Sequence, residues 1–456
     1  MTDKSNNPNM PASNFDRRGF IGSAAATAGL MIVNPSLVRG TAANSAVRVG
    51  LLGCGGRGTE DATNLVDTGS ARVTALADLF PDQLENARKH FDEIQQAKSF
   101  SALDAKQLFV GPDAYQKILA SKEVDAVVIA TPPYFHPMHL EAAVAAGKHV
   151  YLEKPVAIDV PGAHKVIELG KRADGTLSLD VGFQIRDCPP FVEMVRRIHA
   201  GAIGKIVCGE AHYLTGYIDR PQWPNASADE RRLRNWIYDR VLSGDIIVEQ
   251  NIHVIDICNW VLKSHPLKAT GTGGRGGRPS DGDVFGNYNM VFKYPDGVDI
   301  TFSSTQFAKG WWDVTERFFG TKGTSQSPYI GPLGIWGEEP WQAPSSAPKD
   351  SGQTQAFSVT GNFRSNLEQA DPEKKKAFVD SILSGKFHNQ AAAGAESALS
   401  CMMARMAAYT GREVTWDETL RSTEVWDAHL DLNKIVAKKF PEFEQRSDSD
   451  ERTNAT

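Results

Sequence analysis

Two places in this 456-residue chain combine residue types and spacings that could do chemistry. The first is Gly53-Cys54-Gly55-Gly56-Arg57-Gly58, directly after the apolar run Val47–Leu52 and opening a segment with helical spacing. In this order the first glycine permits a tight turn, the second lets backbone approach a pyrophosphate, and the third lets helix pack on strand. Free N–H groups at the helix N-terminus then face the phosphates with the positive end of the helix dipole. Asp78 ends the next apolar run, 20 residues past Gly58, where a carboxylate hydrogen-bonds the adenosine ribose and repels a 2′-phosphate. The expected cofactor is therefore NAD, with NADP left open because Arg57 could meet either phosphate. The second place is the set Glu249, His253, Asp256 and Trp260, spaced 4, 3 and 4, which makes one stripe on a helix otherwise rich in Ile and Val. A histidine, with its ordinary pKa near 6.5, suits proton removal at such a site. The same stripe would also result from a histidine satisfied inside the core by Asp256 or Glu249, and the residues alone leave both readings open.

Both places need elements to hold them. From Val47 onward, short apolar runs (Val47–Leu52, Val73–Ala77, Ala126–Ile129, His149–Leu152, Leu177–Val181) read as buried strands. Between them Thr59–Val66, Leu84–Phe91, Ala114–Leu119, Met138–Ala146 and Ala163–Ala173 have helical spacing, so the pattern predicts βαβ units and a parallel sheet covered on both faces. The alternation stops near Val181. A helix (Phe191–His199), a strand (Lys205–Leu214), an aromatic-rich insertion (Tyr217–Arg240), a single helix (Ile246–Val261) and strands Asn287–Tyr294 and Val298–Gln306 follow. The expected fold is α/β: an N-terminal Rossmann dinucleotide-binding domain over residues 46–182 and an α+β domain with a mainly antiparallel sheet over 183–440. The glycine-rich stretch Gly271–Gly282 reads as a connecting loop, and the charged residues 441–456 read as a disordered tail. Trp223, Trp236, Tyr238 and the arginines of the insertion suit either a sugar ring or an oligomer interface, and Trp311 and Trp312 are ambiguous in the same way.

The first residues have another logic. Asp16-Arg17-Arg18-Gly19-Phe20-Ile21, the weakly apolar run Gly22 to Val33 and small residues around Thr41-Ala42-Ala43 have the order of a secretory signal, too short for a membrane span. The paired arginines before Phe20 resemble a twin-arginine signal, whose export machinery carries folded proteins to the periplasm. Residues 1–43 are accordingly set apart from the fold. The net charge of −6 offers no basic field for nucleic acid. Five scattered cysteines (Cys54, Cys188, Cys208, Cys258, Cys401) lack metal-type spacing and read as free thiols, and no metal is expected.

Ala130-Thr131-Pro132-Pro133, then His136, then the run Ala145 to Pro155 ending in Glu153-Lys154-Pro155, is similar to the signature of the Gfo/Idh/MocA oxidoreductases. The similarity continues through Val181–Arg186, Gly201–Lys205 and Glu249–Asp256, and covers essentially the whole chain after the signal. The resemblance implies that Lys154 lies beside the nicotinamide and hydrogen-bonds the hydroxyl to be oxidised. It implies that Glu153 orients Lys154 or contacts cofactor, and that Thr131, Pro132 and His136 line the path from adenine to nicotinamide. It makes His253 the general base with Glu249 beside it, where an aspartate is common in the family. Arg186 and Asp256 are the remaining expected substrate contacts.

The implied activity is hydride transfer to or from a secondary hydroxyl of a sugar, polyol or glycoside, in a homo-oligomer. The alternative on the same fold is an NAD-dependent glycoside hydrolase or lyase that oxidises its sugar transiently. Intact Glu153-Lys154-Pro155 favours the oxidoreductase, since NAD-dependent glycosidases of the wider superfamily lack an element of this kind. A non-catalytic sensor would need no lysine–histidine pair. Free NAD should be scarce outside the cytoplasm, so the cofactor is expected to be loaded before export and recycled in place.

Overall fold

The computed structural model describes residues 46–277, 282–344 and 366–437. The expected signal peptide, the expected tail and Arg278 lie outside the described residues. Strands such as Ala126–Ile129 are buried along their whole length, as strands of a parallel sheet between helical layers must be. Six of them pair in parallel in the order β3-β2-β1-β4-β5-β6. They are β1 Val47–Leu52, β2 Ala71–Asp78, β3 Leu108–Val110, β4 Ala126–Ile129, β5 His149–Leu152 and β6 Leu179–Val181. β3 was not expected, because three residues are too short to show a period.

The strand order reverses between β1 and β4, the point where open α/β sheets bind ligands beyond their carboxyl ends. Register brings those ends level. Leu52 stands beside Ala77 and Ile129, Ile129 beside Leu152, and Leu152 beside Val181. The next residues, Gly53, Asp78, Ala130, Glu153 and Gly182, therefore share one edge. The covering helices begin where local chemistry allows: Pro81 opens Pro81–Ala97, and Asp159 caps Val160–Ala173 by accepting from Gly162 N at 2.8 Å.

Beyond β6 the chain builds a nine-stranded sheet in which only the β7–β10 pair is parallel. Its strands are β7 Ile206–Thr215, β8 Lys268–Gly274, β9 Asn287–Lys293, β10 Asp299–Gln306, β11 Asp313–Gly320, β12 Gly323–Gln326, β13 Gly334–Gly337, β14 Trp341–Gln342 and β15 Val414–Thr415. Buried and exposed positions alternate along β9 and β10, as in a sheet with one face on the core. Gly271–Gly274, expected as loop, belongs to β8. There a Cβ at Gly271 would stand 2.3 Å from the Asn289 carbonyl oxygen, so the glycine serves close strand approach.

Two helices near the C-terminus return to the first sheet. Ala391–Thr410 packs against Val160–Ala173 and β8, and Ala370–Ser384 packs against Gly56–Asp67, the helix that follows the glycine loop. Phe378 of the returning helix is fully buried in the core on that side of β1 and β2, where a side chain of this size contributes about 1.5–3 kcal/mol. Among the described residues no helix is long and apolar enough to cross a membrane.

Candidate active site

β1 delivers the chain into Gly53 with φ +96°, and a Cβ there would lie 2.7 Å from the carbonyl carbon and oxygen of Ala130. A Cβ at Gly58 would lie 2.1 Å from Gly53 O, so helix and strand meet only without side chains. At Gly55 an added Cβ would meet nothing within 4 Å, which leaves open space in front of the loop. Asp78 is fixed against the loop: Oδ2 accepts from Cys54 N at 2.7 Å and Oδ1 from Phe80 N at 2.8 Å. Loss of solvent pushes its carboxyl up to about 6, above the usual carboxylate range, with the two backbone N–H groups opposing. A cavity of about 780 Å³ runs from this loop past Thr131, Pro132 and His136 to Lys154, Glu249 and His253.

Two residues of the loop have their polar groups engaged by the protein, Cys54 away from the cavity and Arg57 while still lining it. The Cys54 thiol turns to Ala77 O at 3.5 Å, and its N–H is already given to Asp78. The Arg57 guanidinium is taken up by neighbouring carboxylates. It donates to Glu153 Oε1 (2.9 Å) and to both oxygens of Asp371 (2.8 and 3.2 Å), and stands 3.0 Å from Asp61. Lys375 Nζ joins the group at 2.6 Å from both Asp61 and Asp371. Buried charge persists only where it is paired, and each charge of this cluster faces an opposite one, Asp61 through its ion pairs to Arg57 and Lys375. Burial opposes the Glu153 charge, but Arg57, Lys375 and Lys154 outweigh it and hold the carboxyl below its usual range. For Asp61 burial prevails and pushes the carboxyl up.

Glu153 carries this cluster to the reactive end of the cavity. Its Oε2 accepts from Lys154 N at 3.0 Å, and Gly182 must lack a side chain, because a Cβ would lie 2.4 Å from Glu153 Oε1. Lys154, joined to Pro155 by a cis peptide, donates Nζ to Glu249 O (2.7 Å) and Glu249 Oε1 (3.1 Å). His136 steadies the surrounding loops: its ring nitrogens lie 2.7 Å from Pro155 O and from Thr131 O, and the Thr131 hydroxyl meets His139 Nδ1 at 3.0 Å. Burial lowers His136 to about 4, so the neutral ring donates to one carbonyl and faces the other.

The expected single helix Ile246–Val261 is two. Ile246–Glu249 ends where Gln250 N and Asn251 N both bond Ile246 O at 2.9 Å, the second bond reaching five residues back, and Ile252–Leu262 begins beyond it. Wide turns of this kind recur at functional sites. Glu249 and His253 still line the cavity together, but Asp256 and Trp260 do not. Asp256 takes the Arg186 guanidinium on both oxygens (2.8 and 2.9 Å) and the Ser397 hydroxyl on Oδ1 (2.7 Å), while Trp260 lies 5.7 Å from that guanidinium. The bidentate pair satisfies both partners, so the expectation that Arg186 and Asp256 meet substrate gives way to a structural pair.

His253 is nearly buried, and among the described residues its Nδ1 has no hydrogen-bond partner. Burial, then the Lys154 and Arg57 charges, push it well below the usual histidine value, so the ring is neutral. The Gln184 side-chain oxygen is likewise buried beside the cavity without a partner among the described residues. Gln184 carried no assigned role in the sequence, although it follows β6 at the same sheet edge as Glu153. Gln250, which accepts from Gln306 Nε2 at 3.1 Å, and Tyr213 were missed as well. Tyr217, Trp223 and Trp236 of the insertion and Trp312 line the cavity, whereas Trp311 is exposed. All five cysteines are free thiols, and among the described residues no group of three or more His, Cys, Asp or Glu could hold a metal ion.

A glycine cradle with open space at Gly55, an acid at the end of β2 and a long cleft fit a dinucleotide. Residues 47–181 match the Gfo/Idh/MocA oxidoreductase family model with its NAD-binding Rossmann fold, and residues 191–326 match the Gfo/Idh/MocA C-terminal domain. The chain belongs to this family of NAD-binding oxidoreductases. An inositol 2-dehydrogenase of Rhizobium meliloti (strain 1021) is 25% identical over 291 residues, spanning 63% of this chain and 78% of that protein. A glycosyl hydrolase family 109 protein of Shewanella sp. (strain ANA-3) is 31% identical over 244 residues, spanning 49% of this chain and 50% of that protein. In fold the chain is similar to an aldose-aldose oxidoreductase from Caulobacter crescentus, with TM-score 0.62 at 18% identity over 81% of this chain and 99% of that one. The relatives thus include both a dehydrogenase and a glycosyl hydrolase.

Proposed function

We propose that this protein moves hydride between NAD and a secondary hydroxyl of a sugar, polyol or glycoside. The observation that carries the reading is the meeting of Lys154, Glu249 and the neutral His253 in the same cavity as the glycine loop. NAD, when bound, accepts the hydride from the carbinol carbon. The Lys154 ammonium, oriented by Glu249 and tied through its backbone to Glu153, stabilises negative charge developing on the hydroxyl oxygen. The hydroxyl proton passes to His253, whose ring is neutral and so able to take it. Gln184 and Gln250 offer amide groups to the remaining hydroxyls, and Tyr217 and Trp312 offer ring faces to the sugar.

The similarity to a glycosyl hydrolase supports a second reading, in which the sugar is oxidised transiently, its glycosidic bond is eliminated, and the hydride returns. Purified protein given polyols, aldoses and aryl glycosides separates the two. Net reduction of nicotinamide, or of a second sugar, supports the oxidoreductase. Release of the aryl alcohol with no net redox change would replace it with the hydrolase.

We read residues 1–43 as a twin-arginine signal and place the mature protein in the periplasm with its NAD bound and recycled. We also read the row Cys208, Phe319, Thr324 and Trp336, adjacent across β7, β11, β12 and β13, as the face that meets a second copy of the chain. Cys208, Phe319 and Trp336 are exposed, and light scattering on purified protein tests the assignment.

A further inference from the structure

The insertion after β7 lies at the adenosine end of the cleft, and its short helix Ala228–Arg234 brings Arg234 to the loop that follows Asp78. Arg234 donates to both oxygens of Asp82 (2.9 and 2.9 Å) and through Nε to Glu230 Oε1 (2.9 Å). Its guanidinium carbon lies 4.0 Å from the centre of the Phe80 ring and 4.3 Å from that of Trp223. The Arg234 side chain itself is 6% exposed. Leu233 packs in a small apolar cluster with Leu242, Ala428 and Ile435, against Leu79 and Phe80. Arg232 ties the C-terminal segment to the same place by donating to Ala428 O at 3.0 Å. Phe80, Trp223, Arg234 and Leu432 line the cavity that Gly53 and Asp78 begin.

We propose that residues 223–240, fastened by Arg234 and backed by the C-terminal segment, form a strap over the adenosine half of the NAD site. The dinucleotide then enters and leaves only when the strap lifts. The inference rests on the reading that NAD occupies this cleft and is retained, and it names the residues that retain it. Lifting the strap separates a bidentate ion pair and exposes two aromatic rings at once. Asp82 is 44% exposed, so salt reaches one side of the fastening and should ease the lift.

Rates distinguish a strap from an ordinary contact. A gate governs entry and exit alike, whereas a ligand contact governs mainly dissociation. NADH fluorescence follows binding to the intact protein stripped of nucleotide, and release is followed on adding excess NAD. For Arg234→Ala and Asp82→Asn, association and dissociation rates should both rise, by roughly tenfold for the former. Asp82→Asn lies at a part-exposed position, removes one side of the fastening and keeps the test available if Arg234→Ala folds poorly. Unchanged rates in the variants would overturn the strap. So would faster dissociation with unchanged association, which would make Arg234 a plain contact. If the wild type itself exchanges nucleotide freely while both variants exchange faster, the strap stands and the retained-cofactor reading falls.

Discussion

Lys154 and His253 meet in the cavity with complementary charge states, an ammonium beside a carboxylate and an imidazole kept neutral. Lys154→Ala and His253→Ala should each lower hydride transfer by at least about 10²-fold, with NAD still bound in a fluorescence titration. Near-full activity in either variant would remove that residue from the reaction. Because burial and the neighbouring Lys154 and Arg57 charges lower His253, its NMR titration should fall below the ordinary value, and Lys154→Met should move it upward. Asp78 has the opposite displacement. Its carboxyl is pushed up to about 6, so it is neutral below that pH and anionic above it. Repulsion of a 2′-phosphate exists only in the anionic form, and preference for NAD over NADP should therefore shrink as pH falls through about 6. Asp78→Asn should leave only the pH dependence of the phosphate itself, measured as the ratio of the two binding constants.

The helix Ala370–Ser384 is the element that the site depends on and local pattern did not announce. Five of the six strands of the first sheet were legible because burial on both faces writes an apolar run, and the glycine loop because its spacing is itself the geometry. The stripe Glu249, His253, Asp256, Trp260 was legible only to its midpoint, since the wide turn at Asn251 leaves no trace in a helical period. Asp371 answers Arg57 across 314 residues, a separation that no local window connects. Asp371→Asn removes one carboxylate from the cluster and leaves Arg57 and Lys375 short of negative charge, at a cost of about 3–5 kcal/mol. Urea denaturation should show the loss. The wild-type contribution has a defined pH window. Although burial opposes ionisation, Arg57 and Lys375 hold the Asp371 carboxyl below its ordinary value. Its stabilisation is thus present above the unfolded value, near pH 4, and fades as pH falls toward the folded one. A midpoint unchanged by Asp371→Asn would mean that water, not Asp371, satisfies Arg57.

Over the whole molecule, the cavity takes its walls from Leu52 at one end of the described chain to Leu432 at the other. It cannot exist until nearly all of the chain has been made and folded. A nucleotide site of this construction can be filled only in a compartment that holds both finished protein and NAD, and for an exported protein that compartment is the cytoplasm. If residues 1–43 act as the proposed twin-arginine signal, Arg17 and Arg18 would direct the chain to a route that carries folded proteins, which is the route such a site would need. Protein recovered from periplasm without added NAD should contain about one nucleotide per chain, identified by mass spectrometry after denaturation. Arg17→Lys with Arg18→Lys should leave the protein in the cytoplasm, folded and equally loaded. Periplasmic protein that is empty yet active only with added NAD would defeat this account, because loading would then not depend on folding before export.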